Sequence, residues 1–216
     1  MRVLITAGPT YEPLDPVRFI GNHSSGKMGY ALAEAFAEAG ADVALVSGPT
    51  HLPDPAHPHI RIKRVETAEQ MYQAAAAVAP QADVWVFAAA VADYRPAQVA
   101  AEKIKKTGDT LTLELVKNVD IAATLGKTKR SEQFSVGFAL ETNDEQTHAL
   151  DKLRRKHFDL VVLNSLRDAG AGFGHDTNKV TLLDAQGQMR TFDVKLKTDV
   201  ARDIVEAVFT KMPRPA

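Results

Sequence analysis

The sequence predicts an α/β fold built on a doubly wound, mostly parallel sheet. Three observations lead there. Short β-branched runs without polar alternation recur along the chain, as strands buried on both faces require. Amphipathic stretches of helical period lie between them. The alternation of the two implies right-handed crossovers that cover both faces of one sheet. Two further stretches alternate with period two, adding antiparallel arm and edge strands to a Rossmann-like core.

Val3 to Thr6 reads as the first strand, stopped by Ala-Gly-Pro. Asp42 to Ser47 (DVALVS), Ile60 to Val65 and Val84 to Phe87 (VWVF) read the same way. Gly26 to Ala39 is a helix with apolar positions at Met28, Leu32, Ala35, Phe36 and Ala39, stopped by Gly40. Thr67 to Ala79 is a second, opened by Thr67 with Gln70 at the capping-box position. Ser135 to Ala139 and Leu160 to Asn164 supply two more strands around a helix from Thr147 to Lys156. Thr110 to Val116 (TLTLELV) alternates with period two and reads as a protruding arm with little core of its own. Lys179 to Asp184 and Met189 to Val194 form a hairpin around Ala-Gln-Gly-Gln. Thr198 to Phe209 is the last helix, and the Pro-rich tail over 211–216 is expected to fray.

The 216 residues, 45% apolar and 25% charged, have the composition of a globular protein and exclude disorder, collagen or a coiled coil. With 26 Lys+Arg against 27 Asp+Glu, the formal net charge is -1, so no global field draws the chain to nucleic acid or an anionic membrane. Any anion must be held by local groups. The absence of cysteine removes disulfides, thiolate metal sites and thiol nucleophiles, and fits a reducing cytoplasm. The five-residue apolar run at the N-terminus is shorter than an export signal. The longest apolar run, Val84 to Ala92, falls short of the ~20 residues that span a bilayer. The expectation is a soluble cytoplasmic chain of one domain, without nucleic-acid or membrane partners.

The connection from Ala7 to Gly29 is long and contains three prolines, and loops of that length in a domain usually serve function. Gly21-x4-Gly26-Lys27 matches the first seven positions of a phosphate-binding loop, but Met28 stands where Ser or Thr must ligate Mg²⁺. What survives is Ser24, Ser25 and Gly26 at a helix start, where unpaired N–H groups and the dipole favour an anion. The competing reading is that Ser24 or Ser25 only caps that helix. A nicotinamide-dependent reductase is the rival enzyme class, and it lacks support. No G-x-G-x-x-G follows any strand, and Tyr11, Tyr30, Tyr72 and Tyr94 have Asp15, Glu34, Ala76 and Gln98 four residues on, never Lys.

After the Val84–Phe87 strand comes AAAVADYR, Ala88 to Arg95. Small residues at the end of a parallel strand let a ligand approach the backbone. Asp93 is placed there to hold a metal ion or a ribose. Lys103, in the charged run Glu102 to Lys106, is placed to neutralise phosphate, the alternative being a solvated charge run. His57 and His59 lack a third ligand for zinc, and neither a G-x-S-x-G elbow nor an H-E-x-x-H occurs.

Six ordered segments together resemble phosphopantothenoylcysteine synthetase, the ligase family of coenzyme A biosynthesis. They are Ile5 to Gly29, Leu45 to Pro49, Ala89 to Pro96, Glu102 to Lys106, Lys117 to Ile121 and Gly137 to Asn143. The Pro-Leu-Asp-Pro-Val-Arg and Gly-Lys-Met-Gly spellings are similar to the bacterial form, normally fused to a flavin-dependent decarboxylase. The resemblance implies a homodimer with active sites completed across the interface, and a two-step reaction. The carboxylate of 4'-phosphopantothenate attacks the α-phosphate of CTP, giving an acyl-cytidylate and pyrophosphate; the amine of L-cysteine then displaces CMP.

The same resemblance places Asn22 and Arg18 at the activated acyl group and Lys103 at the triphosphate. It assigns Ser24, Ala89, Asp93, Val119, Asp120, Ile121, Ala122, Phe138, Lys152 and Lys156 to the nucleotide, with Mg²⁺ held at Asp93 through the triphosphate. Val119 and Ala101 stand where the family usually has Pro, and Leu140 replaces a smaller residue. A non-catalytic nucleotide-binding module would keep these motifs while leaving Asn22 and Lys103 idle.

Overall fold

The computed structural model describes residues 1–106, 108–141, 145–165 and 175–212. In chain order the first half forms β1 (Arg2–Ala7), β2 (Tyr11–Pro13), β3 (Phe19–Gly21), α1 (Lys27–Glu38), β4 (Asp42–Ser47), β5 (Ile60–Arg64), α2 (Ala68–Val78) and β6 (Val84–Phe87). Then follow β7 (Tyr94–Pro96), β8 (Leu115–Lys117), α3 (Ile121–Gly126), β9 (Phe134–Glu141), α4 (Glu145–Arg155) and β10 (Leu160–Ser165). The last elements are β11 (Thr177–Asn178), β12 (Val180–Asp184), β13 (Met189–Thr191), β14 (Lys195–Leu196) and α5 (Lys197–Lys211).

Eight strands form one sheet in the order β13-β12-β10-β9-β6-β1-β4-β5. Every pairing from β10 to β5 is parallel, and the β12–β13 hairpin adds two antiparallel strands at one edge. The chain builds outward from β1 through β4 and β5, then returns to the other side of β1 for β6, β9 and β10. This reversal makes a switch point between β1 and β6, where the connections leaving the two strands diverge and open a crevice. The fold is therefore the Rossmann-like one that the strand–helix alternation predicts.

Burial alternates along β1: Val3 and Ile5 pack with α1 and α5 on one face, while Leu4 packs with Met71, Trp85 and the helices of the other. Fully burying each such side chain stabilises the fold by roughly 1.5–3 kcal/mol. The Thr67 capping box is present, with Gln70 N–H donating to Thr67 Oγ1 at 3.2 Å and Thr67 N–H donating to Gln70 Oε1 at 3.3 Å.

Several expectations are corrected. Neither Ser24 nor Ser25 caps α1: Gly26 holds the cap position at φ 81°, with no side-chain cap. That left-handed backbone strains any residue with a Cβ. The 110–116 arm contracts to β8, paired antiparallel with β7, and residues 110–114 carry no regular structure. Its Leu111 and Leu113 are 56% and 38% exposed among the described residues, as a short arm without a core of its own would leave them. α3 has only six residues, too few to show a period, and is opened by Asp120 accepting from the Ala123 N–H at 3.0 Å. The last helix continues to Lys211, ahead of Met212, so fraying at 211 is not seen; residues 213–216 lie outside the described residues.

Gly29, in the first turn of α1, lies against β1 so closely that a Cβ on it would fall 2.5 Å from the Cβ of Ala7. Gly29→Ala should gain about 1 kcal/mol of helix propensity but lose ~1–3 kcal/mol to overpacking, because Ala7 has no flexible end to yield. A lowered denaturant midpoint at unchanged slope is expected; an unchanged or raised midpoint would show that α1 sits less tightly.

Candidate active site

A cavity of about 800 Å³ opens at the switch point. Its floor is the C-terminal ends of β1, β6, β9 and β10, reached by Thr6, Phe87, Phe138 to Leu140 and Asn164. One wall is the loop from Ala88 to Asp93 after β6, and the opposite rim is Ser24 to Gly29 at the start of α1. Among the described residues five lysines reach the cavity against two carboxylates, Asp93 and Asp120, a balance that favours a polyanion.

The 88–93 loop is tied down. Ala90 N–H donates to the Gly8 carbonyl at 2.9 Å, and Ala92 N–H to Thr10 Oγ1 at 3.0 Å. Asn118 closes the far side, its Nδ2 donating to the Ala92 carbonyl and its backbone N–H to the Asp93 carbonyl, both at 2.8 Å. Arg95 in turn donates to the Lys117 carbonyl and to Asn118 Oδ1. Ala89 and Asp93 therefore stand at fixed places in the wall.

Asn22 follows β3 and leans across the same loop. Its Nδ2 donates to the carbonyls of Ala90 at 3.0 Å and Val91 at 3.1 Å. Both amide protons are thereby committed, which fixes the orientation of the amide and leaves Oδ1 as its remaining polar atom. The resemblance places Asn22 at the activated acyl group, where an amide could donate to the acyl oxygen; in this arrangement it presents an acceptor instead.

The β9 end of the cavity is formed by Phe138, Val119 to Ala122, Lys152 and Lys156. Lys156 Nζ pairs with Asp120 at 2.9 Å. Burial raises the Asp120 carboxyl, but the Ala123 N–H and the Lys156 ammonium more than offset it and hold the group below its usual value. Val119 packs among the apolar residues beneath this end. Gly137 on β9 lets Phe158 approach, since a Cβ there would fall 2.0 Å from the Phe158 ring.

The structure thus brings together every residue that the resemblance assigns, except two. Arg18 and Lys103 are absent from the cavity wall of the single chain. The Arg18 guanidinium is instead held by the buried Asp15 carboxylate and by the Ile104 carbonyl, the latter at 2.8 Å. Ile104 N–H donates back to Asp15 Oδ2 at 3.1 Å. This clip pins the chain next to Lys103, whose own side chain is exposed. Among the described residues no group of three or more His, Cys, Asp or Glu side chains could hold a metal. Asp93 alone fits Mg²⁺ only in the mode where substrate phosphates supply most of the oxygens.

Lys27, Asn118, Asn164, Asn178 and Lys197 also line the cavity. Of these the sequence reading reached Lys27 through the Gly-Lys spelling and Asn118 as part of the Lys117 to Ala122 segment expected to contact the nucleotide; it assigned no ligand to the other three. Lys197 opens a helix far along the chain from the other motifs, and no spacing rule connects it to them.

A family model for the DNA/pantothenate metabolism flavoprotein C-terminal domain matches residues 1–212. The chain belongs to this family. The coenzyme A biosynthesis bifunctional protein CoaBC of Vibrio cholerae is 50% identical over 191 residues, covering 87% of this chain and 47% of that protein. A cysteine/cysteine sulfinic acid decarboxylase from an unknown prokaryotic organism is 48% identical over 97% of this chain and 58% of its own length. The chain thus spans about half the length of the curated relatives it matches. The crystal structure of a CoaBC C-terminal domain superposes with a TM-score of 0.82 at 41% identity, covering 97% of this chain and 94% of that one.

The Arg18 guanidinium holds the Asp15 carboxyl well below the usual carboxylate range. The clip's contribution is therefore present above the ordinary Asp value of ~3.9 and is lost only as pH falls through the lowered one. Asp15→Asn should speed amide hydrogen exchange at Ile104 by about tenfold or more at neutral pH while leaving the β1 amides protected, since a hydrogen bond to a charged group is lost. Unchanged exchange at Ile104 would show that the clip does not order this segment.

Proposed function

We propose that residues 1–216 form one phosphopantothenate–cysteine ligase domain of coenzyme A biosynthesis, using CTP and Mg²⁺ in the cytoplasm and fused to a decarboxylase domain in the natural chain. The observation that carries this reading is the cavity itself: a crevice at the switch point gathers the nucleotide-assigned segments, dispersed over more than a hundred residues of sequence, around Asn22. The bifunctional relatives, about twice this chain's length, support the fusion. Among the described residues no helix is long and apolar enough to cross a membrane.

In this reading the nucleotide base rests at Phe138 and the backbone of 119–122, and the ribose and α-phosphate lie along the 88–93 loop. Close backbone contact near Ala89 leaves room for one ring, which favours CTP over ATP. Mg²⁺, held by Asp93 and triphosphate oxygens, would offset charge on the leaving pyrophosphate. The carboxylate of 4'-phosphopantothenate attacks the α-phosphorus, and the pair of electrons in the broken P–O bond leaves with pyrophosphate. The cysteine amine then adds to the acyl carbon, and the acyl C–O bond breaks with its electron pair leaving on CMP. Asn22 Oδ1 accepts a hydrogen bond from the attacking amine and orients it.

Arg18 and Lys103 complete the site from a second copy. Val17 and Phe19 beside β2 and β3, and Tyr94, Val99, Leu111 and Leu115 around β7 and β8, are exposed apolar side chains on two touching ribbons. A concentration of such residues marks an association surface. Sedimentation should show a dimer at micromolar concentration; a fully active monomer would refute the shared site.

Incubation with CTP, 4'-phosphopantothenate, cysteine and Mg²⁺ should release pyrophosphate and form the amide. A nicotinamide reductase or an idle nucleotide-binding module would do neither. Rapid-quench mass spectrometry separates the two steps. Asn22→Ala should keep pyrophosphate release yet slow amide formation by about 10²-fold through misplacement of the amine, with acyl-cytidylate accumulating. Lys103→Gln should slow pyrophosphate release itself. Equal loss of both steps in Asn22→Ala, with CTP binding intact and no trapped intermediate, would defeat the assignment.

A further inference from the structure

The end of the cavity between α1 and α5 is built around two lysines, Lys27 of the incomplete phosphate-loop match and Lys197, to which no motif points. Lys27 is the first residue of α1 and Lys197 the first of α5, and both reach the cavity wall. Lys197 is 93% buried, at 7% exposure, and its Nζ donates to the His175 carbonyl at 2.6 Å. Lys27 Nζ pairs with Asp176 at 2.6 Å. The strand pair β11–β14 fixes the arrangement, because it sets Asp176 and Asn178 beside the start of α5, where Lys197 N–H donates to the Asp176 carbonyl at 2.9 Å.

Burying an ammonium is expensive, and folds retain one where it meets an anion. Burial and the positive charge of Lys27 pull Lys197 below the ordinary lysine value, only partly countered by Asp176. At this end the described cavity lining includes two cations, with one carboxylate, Asp176, paired to Lys27 just behind it; Asp93 and Asp120 belong to the loop after β6 and to the α3 cap. Asn22 and Phe138 line the same cavity as these two lysines. A nucleotide with its base at Phe138 and its α-phosphorus at Asn22 finds in Lys27 and Lys197 cations for its remaining phosphates.

We propose that Lys197, with Lys27, holds the β- and γ-phosphates of the bound nucleoside triphosphate and the pyrophosphate that the first step releases. This rests on the nucleotide reading above and names residues for it that the resemblance did not. When the carboxylate oxygen bonds to the α-phosphorus, the bond to the bridging oxygen breaks and its electron pair passes to pyrophosphate. The two ammonium groups offset the charge that accumulates there and keep their protons. Two fixed cations suit a diphosphate better than the single phosphate of 4'-phosphopantothenate.

Calorimetry with Mg²⁺ on the full chain tests this with CMP, CTP, inorganic pyrophosphate and 4'-phosphopantothenate as separate probes. Lys197→Met should weaken CTP and pyrophosphate by about tenfold or more, the loss of one charge-assisted contact, and leave CMP within about twofold. Lys197→Arg should recover part of the pyrophosphate affinity, as retained charge predicts and a packing role does not. Should Lys197→Met not fold, Lys27→Met on the rim is expected to show the same selective loss. Equal weakening of CMP and CTP, unchanged pyrophosphate affinity, or loss confined to 4'-phosphopantothenate would each overturn the proposal. Wild-type binding of pyrophosphate without either nucleotide would sink the nucleotide reading while sustaining the polyphosphate site; binding of none of the four would sink both.

Discussion

The cavity depends on how closely backbone packs where β1 ends. Gly8, at φ 75°, lies against Gly48, and a Cβ on Gly48 would fall 1.7 Å from the Pro9 carbonyl oxygen. A Cβ on Gly26 would lie 3.4 Å from the Gly8 Cα, and Gly29 rests on Ala7. Side chains at Gly29 and Gly48 would force α1 and the loop after β4 away from β1. Their absence lets the α1 start, the end of β1 and the 88–93 loop converge. That convergence allows Asn22 to bridge to Ala90 and Val91 and brings the start of α1 to the rim of the crevice.

Charge is then distributed along that frame. Lys152 and Lys156 stand near one end of the cavity, Lys27 and Lys197 near the other, and the small residues between them leave the backbone accessible. Asp120 and Asp176 each hold a lysine at one of these ends. A polyanionic ligand thus meets cations already placed, which lowers the reorganisation needed on binding. Lys103 is the exception, because the Asp15–Arg18 clip anchors its neighbour Ile104 while the lysine itself stays exposed. The exposed apolar ribbons beside it give a physical reason to place the complete site in a pair of chains.

Long, regular elements were legible because their period or caps stand in the sequence. Asp42 to Ser47 and Val84 to Phe87 match β4 and β6 residue for residue, and Thr67 with Gln70 marks the start of α2. Elements held by tertiary contact were not. α3 is a single capped turn, β11 and β14 are two residues each, and the Leu111–Leu113 alternation stays exposed among the described residues. At the site, the motif-borne residues were readable, since loops at strand ends carry them in order. The atom that Asn22 presents was not, because the carbonyls that consume its N–H groups lie 68 and 69 residues away. Lys197 was equally silent, its role set by a strand pair that no local pattern announces.

Crystallographic difference density for the chain soaked with CTP and Mg²⁺ tests the central claim most directly. The account predicts the base against Phe138 and the 119–122 backbone, the α-phosphate beside Asn22, and the terminal phosphates at the α1 start. Ordered CTP outside the β1–β6 crevice, or a reversed nucleotide with its base at Lys197, would contradict it.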